Sequence, residues 1–191
     1  MVINTCMNDL ANLLNALSIK QRDEYRDAIY GWMVQFDPHC EYAVTLTLQP
    51  EVVKALMNNG YVSNKSDLLK VLKKCMRHFG NRLSRCFYKS AQRNNNKTGL
   101  IIPVIEGLAG DERLHYHLVI SAPSNLTQHE VMHYIQKSWS HTYLGGHAID
   151  VTRYSDTGWM EYMSKKAITP KIENIDWDNV RVPPAILQTL S

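Results

Sequence analysis

The stretch Arg113-Leu-His-Tyr-His-Leu-Val-Ile-Ser121 is rich in residues that favour extended backbone and carries three consecutive aliphatic side chains near its end. This composition predicts a buried strand. Because successive side chains of a strand point to opposite faces, His115 and His117 share one face, ~7 Å apart along the backbone, while Tyr116 faces the other way. Two imidazoles that converge from one strand can bind a divalent metal ion. Two half-buried histidines with ordinary hydrogen-bond partners would show the same pattern.

Three other segments have the composition of strands: residues 41–49, which Pro50 ends, residues 100–106, and residues 147–154. The loop of residues 107–112 is short enough to join the second of these to the histidine strand as a hairpin. Glu106 would then lie at the end of its strand, close to His115 or His117. Two imidazoles and one carboxylate, with positions left open for other oxygen ligands, suit a labile divalent ion such as Mg²⁺ or Mn²⁺.

Helical periodicity separates the strands. It predicts a long helix from residue 64 or 66 to about Arg93, a helix over residues 127–140, and a helix that Gly158 begins. Two further helices are predicted within residues 7–36. The resulting order, β-α-β-β-α-β-α behind a helical lead-in, predicts an α+β domain with a mostly antiparallel central sheet and helices packed on it.

Composition predicts one globular domain over residues 1–191, divided into a helical N-terminal extension (1–38), a central part (42–167) and an irregular tail (168–191). No segment is apolar enough to cross a membrane, and the N-terminus lacks the order of a signal peptide, so we expect a cytoplasmic protein. The four cysteines, Cys6, Cys40, Cys75 and Cys86, show no C-x-x-C spacing, which indicates reduced, buried thiols rather than disulfides or a zinc site.

Charge is distributed unevenly along the chain. Residues 65–97 contain ten Lys or Arg and one acid, Asp67, a net charge of +9; since the whole chain carries +3, the remainder carries −6. A solvated helix face normally mixes both signs, so the near-absence of acids favours contact with a polyanion. The residues of this segment that we expect to make this contact are Arg77, Arg82, Arg85 and Lys89.

The helix that follows Gly158 carries Tyr162, with Lys165 three residues and Lys166 four residues later. Residues at these spacings share a helix face, so either lysine can lie near the tyrosine hydroxyl. A phenol with a pKa of ~10 needs a nearby cation or base to act as a nucleophile. An ordinary amphipathic helix with an inward-facing tyrosine would show the same spacing.

Three motifs together resemble the HUH endonucleases, and within them the single-tyrosine rolling-circle replication initiators of plasmids and phages. The motifs are Thr45-Leu-Thr-Leu48, the block from Glu106-Gly to His115-Tyr-His-Leu-Val-Ile120, and Tyr162-Met-Ser-Lys165. They occupy the part from about residue 42 to 167, some two-thirds of the chain. The sequence departs from parts of this superfamily, because no helicase domain follows and no second tyrosine lies on the same helix face.

The resemblance implies a ferredoxin-like βαββαβ variant, with the His-x-His pair on a central strand and Tyr162 on a helix over it. It implies that His115, His117 and Glu106 bind the metal ion, that Tyr162 is the nucleophile, and that Lys165, with Lys166 as second choice, assists it. The substrate would be single-stranded origin DNA, with Arg153 as a further DNA contact. A host helicase and polymerase are the expected partners of a monomer or weak dimer.

Other functions share parts of this pattern. A transposase or relaxase of the same superfamily would use the same chemistry. A non-catalytic module that binds single-stranded nucleic acid would account for the basic segment but not for the His/His/Glu/Tyr/Lys set. Histidine-triad hydrolases need a further histidine where this chain has Val119, and two-histidine phosphoesterases need a second His-x-Ser/Thr pair that the sequence lacks.

Overall fold

The computed structural model describes residues 19–95, 97–108, 113–169 and 172–190. Within these ranges the protein is α+β, with a four-stranded antiparallel sheet and packed helices, as predicted. The strands of the sheet are β1 (Tyr42–Leu48), β2 (Ile101–Glu106), β3 (His115–Ile120) and β4 (Gly145–Arg153). The helices are α1 (Ile19–Val34), α2 (Pro50–Asn58), α3 (Lys65–Asn95), α4 (Gln128–Ser140), α5 (Gly158–Ala167) and α6 (Pro184–Leu187). Two 3₁₀ turns, Asp37–His39 and Trp177–Asn179, and a pair of two-residue strands, β5 (Ile168–Thr169) and β6 (Ile172–Glu173), complete the described elements.

The strand order across the sheet is β2-β3-β1-β4, and every neighbouring pair is antiparallel. The histidine strand β3 is therefore central, between its hairpin partner β2 and the first strand β1. Its register places His117 between Thr45 on β1 and Val104 on β2, and places His115 opposite Glu106. This pairing confirms the expected approach of Glu106 to the histidine pair.

Each face of the sheet is covered by its own group of helices. On the front face, which carries His115, His117 and Glu106, helices α1 and α5 bury a core with Ile102, Val104 and Val119. On the rear face, helices α3 and α4 bury a larger core with Tyr116 and its neighbours. Strand alternation thus divides the His-Tyr-His triplet between two separately packed layers.

Local signals explain where the long rear helices begin. Asn64 Oδ1 accepts a hydrogen bond from the Asp67 amide at the start of α3. Thr127 and Glu130 form a reciprocal capping box at the start of α4.

Helix α3 is interrupted at Lys89, where φ is 45° and the backbone leaves the helical region. Gly145 opens β4 at a place where a Cβ atom would lie 1.9 Å from the Trp139 carbonyl oxygen.

Helix α2 was not predicted. Pro50 was interpreted only as the end of a strand, although proline also fits the first turn of a helix, where its missing N–H is not needed. The helix buries Leu56 and packs Val52 and Val53 against the rear core. Two helices therefore lie between β1 and β2 where one was expected.

The tail is more regular than expected from its prolines. The backbone of Ile101 exchanges two hydrogen bonds with Arg181, and Val104 forms a bridge with Ile175. Ile175 and Asp176 are almost completely buried. The tail therefore runs along the outer edge of β2, and within the described ranges β4 is the edge of the four-stranded sheet that has no partner strand.

Some predictions fall on residues that the structure does not describe: the first helix within residues 7–18, Cys6, the middle of the β2–β3 loop and Pro170. The other three cysteines, Cys40, Cys75 and Cys86, are free thiols, and Cys75 is buried. Among the described residues, no helix combines the length and hydrophobicity that a membrane crossing requires.

Candidate functional site

Three side chains converge at the end of the β2–β3 hairpin. Glu106 Oε2 lies 2.6 Å from His117 Nε2 and 3.0 Å from His115 Nε2, and the two Nε2 atoms lie 2.7 Å apart. Glu106 and His117 are buried, with 4% and 5% of their surfaces exposed, while His115 is half-buried. This group could hold a metal ion.

The outer nitrogens of both imidazoles have partners that leave the inner nitrogens free. His115 Nδ1 lies 2.5 Å from the Arg113 carbonyl oxygen, which can only accept, so Nδ1 carries the proton. His117 Nδ1 lies 3.1 Å from Thr45 Oγ1, which can accept in the same way. With protons on both Nδ1 atoms, the lone pairs of both Nε2 atoms point toward one carboxylate oxygen. Such second partners are a regular feature of histidines that bind metals.

The spacing of the three inner atoms fits a divalent ion. Ligand atoms ~2.1 Å from an ion and at right angles to one another lie ~3.0 Å apart, close to the observed 2.6–3.0 Å. Burial lowers the pKa of His117 by more than the contact with Glu106 raises it, so its ring stays neutral near pH 7. A neutral ring offers its lone pair to a cation, which would also remove the repulsion between three converging lone pairs.

Helix α5 brings the candidate nucleophile to this group. The Tyr162 hydroxyl donates a hydrogen bond to Glu106 Oε2 at 3.0 Å, and its ring meets that of His117 edge-on at 5.1 Å. Trp159 stacks on the Tyr162 ring, with centroids 5.6 Å apart, and donates from its indole nitrogen to the Leu118 carbonyl oxygen at 3.1 Å. Tyr162 is therefore held in place while 37% of its surface remains exposed.

The two candidate lysines occupy different environments, and Lys166, the second choice from sequence, is the one that lies beside the carboxylate. Lys166 Nζ contacts Glu106 Oε1 and lies 5.5 Å above the Tyr162 ring. Lys165 instead forms an exposed ion pair with Glu161 at 2.7 Å, away from the carboxylate. Spacings of three and of four residues both place a lysine on the same side of the helix as Tyr162, but only Lys166, four residues later, faces the sheet.

Two residues of the site were missed by sequence reasoning. Thr45 was noted only as part of a motif, yet its hydroxyl is the outer partner of His117. Its strand register with the histidine could not be obtained before the neighbour of β3 was known. Trp159 carried a usable signal, because it lies three residues before Tyr162 on the same helix face.

The residues predicted to contact DNA lie away from this site. Helix α3 packs on the rear face, and with it Arg77, Arg82, Arg85 and Lys89. Arg153 lies above the Tyr42 ring, 4.6 Å from its centroid, and Tyr42 belongs to the rear core. The sheet therefore separates all five predicted contacts from the Glu106–His115–His117 group.

No protein-family model, no curated protein and no solved structure matched this chain in the three comparisons with known proteins.

Proposed function

We propose that this protein is an endonuclease that nicks single-stranded origin DNA through a covalent 5′-phosphotyrosine and so initiates rolling-circle replication. The observation that carries the proposal is the meeting of Tyr162, Lys166, Glu106, His115 and His117 at one place on the front face. The strand order β2-β3-β1-β4 also agrees with the ferredoxin-like βαββαβ variant expected for an HUH initiator.

The residues present suit Mg²⁺ or Mn²⁺ held by His115, His117 and Glu106, with positions left for substrate oxygens. When bound, such an ion supplies positive charge against a scissile phosphate. The chain itself supplies the nucleophile, because the exposed Tyr162 hydroxyl lies at the edge of the same group. Its oxygen forms a bond to phosphorus as the bond between phosphorus and the 3′ oxygen breaks. The products are a 5′-phosphotyrosine and a free 3′ hydroxyl.

The side chains of the site offer an acceptor and a donor for the protons of the proposed step. Glu106 Oε2 accepts the hydrogen bond of the phenol and is the nearest base for its proton. Lys166, in contact with the other oxygen of Glu106, provides a proton for the departing 3′ oxygen. Proton transfer from Glu106 to Lys166 then restores both groups. Because the phosphodiester energy is kept in the tyrosine ester, the reverse reaction can rejoin strands without a nucleotide cofactor.

Replacement of Tyr162 by phenylalanine tests the proposal. Wild-type protein mixed with end-labelled single-stranded origin DNA and Mn²⁺ should form a covalent adduct that survives a denaturing gel. Tyr162→Phe should form none, because it lacks the attacking oxygen, while still binding Mn²⁺ by calorimetry. Tyr30→Phe, on helix α1, is the matched control and should form the adduct at the wild-type level.

Two results would contradict the proposal in different ways. An adduct that persists in Tyr162→Phe would show that another residue is the nucleophile. If wild-type protein forms no adduct on any origin DNA but binds single strands, a non-catalytic binding module is the better interpretation. DNA flanking the gene would distinguish an initiator from a transposase or relaxase, since origin hairpins, terminal repeats and mobilisation genes differ.

A further inference from the structure

A cleft on the rear face gathers three cations. It has a volume of about 250 Å³ and is lined by Arg82, Arg85 and Cys86 from α3 and by Lys137 and Ser138 from α4. No acidic residue lines it, and none of the three cations forms an ion pair with any residue in the described ranges. Such a cleft repels cations and leaves three positive groups available to an anion.

Arg82 provides the most specific sign of a missing ligand. Its Nε atom is buried and has no hydrogen-bond partner anywhere in the described part of the chain. Buried polar atoms of native proteins almost always have a partner, and an unsatisfied donor is costly. The fork of an arginine matches two oxygens of a phosphate group, which would satisfy Nε and a terminal nitrogen together.

A second cavity lies one helical turn earlier along α3. It has a volume of about 530 Å³ and is mostly apolar, with Lys74 and His78 on one side. Tyr61 and Tyr143 line it while exposing 77% and 66% of their surfaces. Nucleic-acid bases can stack on exposed aromatic rings, most often where a positively charged groove lies alongside.

The two cavities follow one line of basic residue types along α3. Lys74, His78, Arg82 and Arg85 are spaced by four, four and three residues, so they form a stripe on one face of α3. Four residues of helix advance ~6 Å, which puts the apolar cavity and the cationic cleft side by side. Neighbouring sites for a base and a phosphate are complementary to a single nucleic-acid strand.

We propose that this stripe is a second binding track for single-stranded nucleic acid, with a phosphate in the Arg82–Arg85–Lys137 cleft and a base between Tyr61 and Tyr143. The inference deepens the proposed function, on which it rests for the class of substrate. It assigns the basic charge of α3 to a contact on the face opposite the Glu106–His115–His117 group. One nucleic-acid strand would then be held both at this stripe and at the Glu106–His115–His117 group. Contacts at the stripe would help to position the segment to be cut, in addition to the contacts at the site itself.

Fluorescence anisotropy with a labelled single-stranded oligonucleotide tests this in the Tyr162→Phe protein with EDTA present, so that no cleavage intervenes. Arg82→Gln combined with Lys137→Gln should lower affinity at least about 10-fold and reduce the log–log salt slope by ~0.7, the value for the one phosphate contact that the cleft provides. Tyr61→Ala or Tyr143→Ala should lower affinity by ~5- to 100-fold with an unchanged slope, because stacking displaces no counterions.

Matched variants separate a specific site from general charge. Lys70→Gln removes one charge from the same helix outside both cavities and should change affinity less than about 2-fold. Arg82→Lys keeps the charge but loses the fork, and should lie between wild type and Arg82→Gln. Thermal melts followed by circular dichroism establish that each variant is folded. Equal affinity of the cleft variants and the Lys70→Gln control would overturn the proposal.

Two further comparisons distinguish free phosphate from nucleic-acid phosphate in the cleft, and distinguish failure of the binding track from failure of the proposed nicking. Inorganic phosphate should compete with the oligonucleotide only at millimolar concentration; tight inorganic phosphate binding together with variant-insensitive oligonucleotide binding would assign the cleft to free phosphate and overturn the strand track. Covalent capture by Tyr162 with variant-insensitive binding would also overturn the track but leave the proposed nicking intact. Variant-sensitive binding without any covalent adduct would support the track and overturn the nicking.

Discussion

Glu106 Oε2 is the atom at which the candidate site meets, because both histidine Nε2 atoms and the Tyr162 hydroxyl lie within 3.0 Å of it. Its other oxygen contacts Lys166. A carboxylate with only 4% of its surface exposed is costly to keep charged, and the Tyr162 hydroxyl and Lys166 offset part of that cost. One buried carboxylate therefore links the three candidate metal ligands, the Tyr162 hydroxyl and Lys166.

The first prediction at this scale concerns the metal ligands and their outer partner. His115→Ala or His117→Ala should abolish Mn²⁺ binding in calorimetry. Thr45→Val preserves shape but removes the oxygen that faces His117 Nδ1, and should weaken Mn²⁺ binding by ~10- to 100-fold, the usual cost of losing such a partner. Thr152→Val, on β4 and exposed, is the matched control. Wild-type affinity in the Thr45 variant would show that the hydroxyl does not orient the ring.

The second prediction separates the two lysines of α5. Lys166→Gln should slow adduct formation on origin DNA by about 100-fold, because it removes the cation beside the carboxylate and the phenol. Lys165→Gln removes an exposed pair with Glu161, worth ~0–1 kcal/mol, and should stay within about 2-fold of wild type. Single-turnover rates of covalent capture measure both. A larger effect at Lys165 would restore the order expected from sequence.

The site residues illustrate what sequence can provide at this scale. The His-x-His pair, Glu106 and Tyr162 were identifiable because strand alternation, hairpin geometry and helical spacing are local rules. The choice between Lys165 and Lys166 was not, since it depends on a rotation of α5 that packing against the sheet determines. Thr45 depended on knowing that β1, 72 residues earlier, is the strand beside the histidines.

At the scale of elements, the tail pairs with the outer edge of β2 through backbone hydrogen bonds. This pairing buries Asp176 completely, which carries a free-energy penalty when its carboxylate is charged; its hydrogen bond from Asn179 is 2.7 Å long. Burial raises the pKa of Asp176 from 3.8 to about 6. Because the folded pKa exceeds the unfolded value, ionisation opposes folding, and stability is lost as pH rises from about 4 through 6.

We therefore predict that Asp176→Asn stabilises the protein at pH 7.5 and does so much less at pH 4. A shift of about two pKa units corresponds to ~3 kcal/mol, or ~6–12 °C in melting temperature for a chain of this size. Thermal melts at both pH values measure the difference. Asp178→Asn, which affects an exposed pair with Lys73, is the control and should change little. A destabilised Asp176→Asn at pH 7.5 would show that the carboxylate is needed by its neighbours.

The elements that sequence identified are those with strong periodicity. Helix α3 was predicted from its apolar stripe, and the β2–β3 hairpin from two strand-like runs around a short loop. Helix α2 was missed because its nine residues bury one side chain, Leu56, too weak a pattern beside a proline. The tail was interpreted as irregular because its order comes from single long-range bridges, which leave no repeat in the sequence.

At the scale of the whole molecule, the sheet separates two groups of polar residues. The Glu106–His115–His117 group and Tyr162 lie on the front face, while α3 and its basic stripe lie on the rear. The charge of residues 65–97 was evident from sequence, but its side of the sheet was not, because that depends on how the chain crosses from β1 to β2. A nucleic-acid strand that contacts both faces, as proposed above, must pass around an edge or an end of the β-sheet.

The two edges of the sheet differ in whether a further segment of the chain pairs with them. The tail occupies the outer side of β2, whereas the outer side of β4 has no partner strand among the described residues. An unpaired edge is a template on which another strand can add by backbone hydrogen bonding. If two copies join through this template, β4 would pair with β4 and a continuous eight-stranded sheet would result. No further copy could add to this sheet, because both of its outer edges would be β2 edges that the tail already occupies. The architecture is therefore compatible with a dimer but not with an extended fibre.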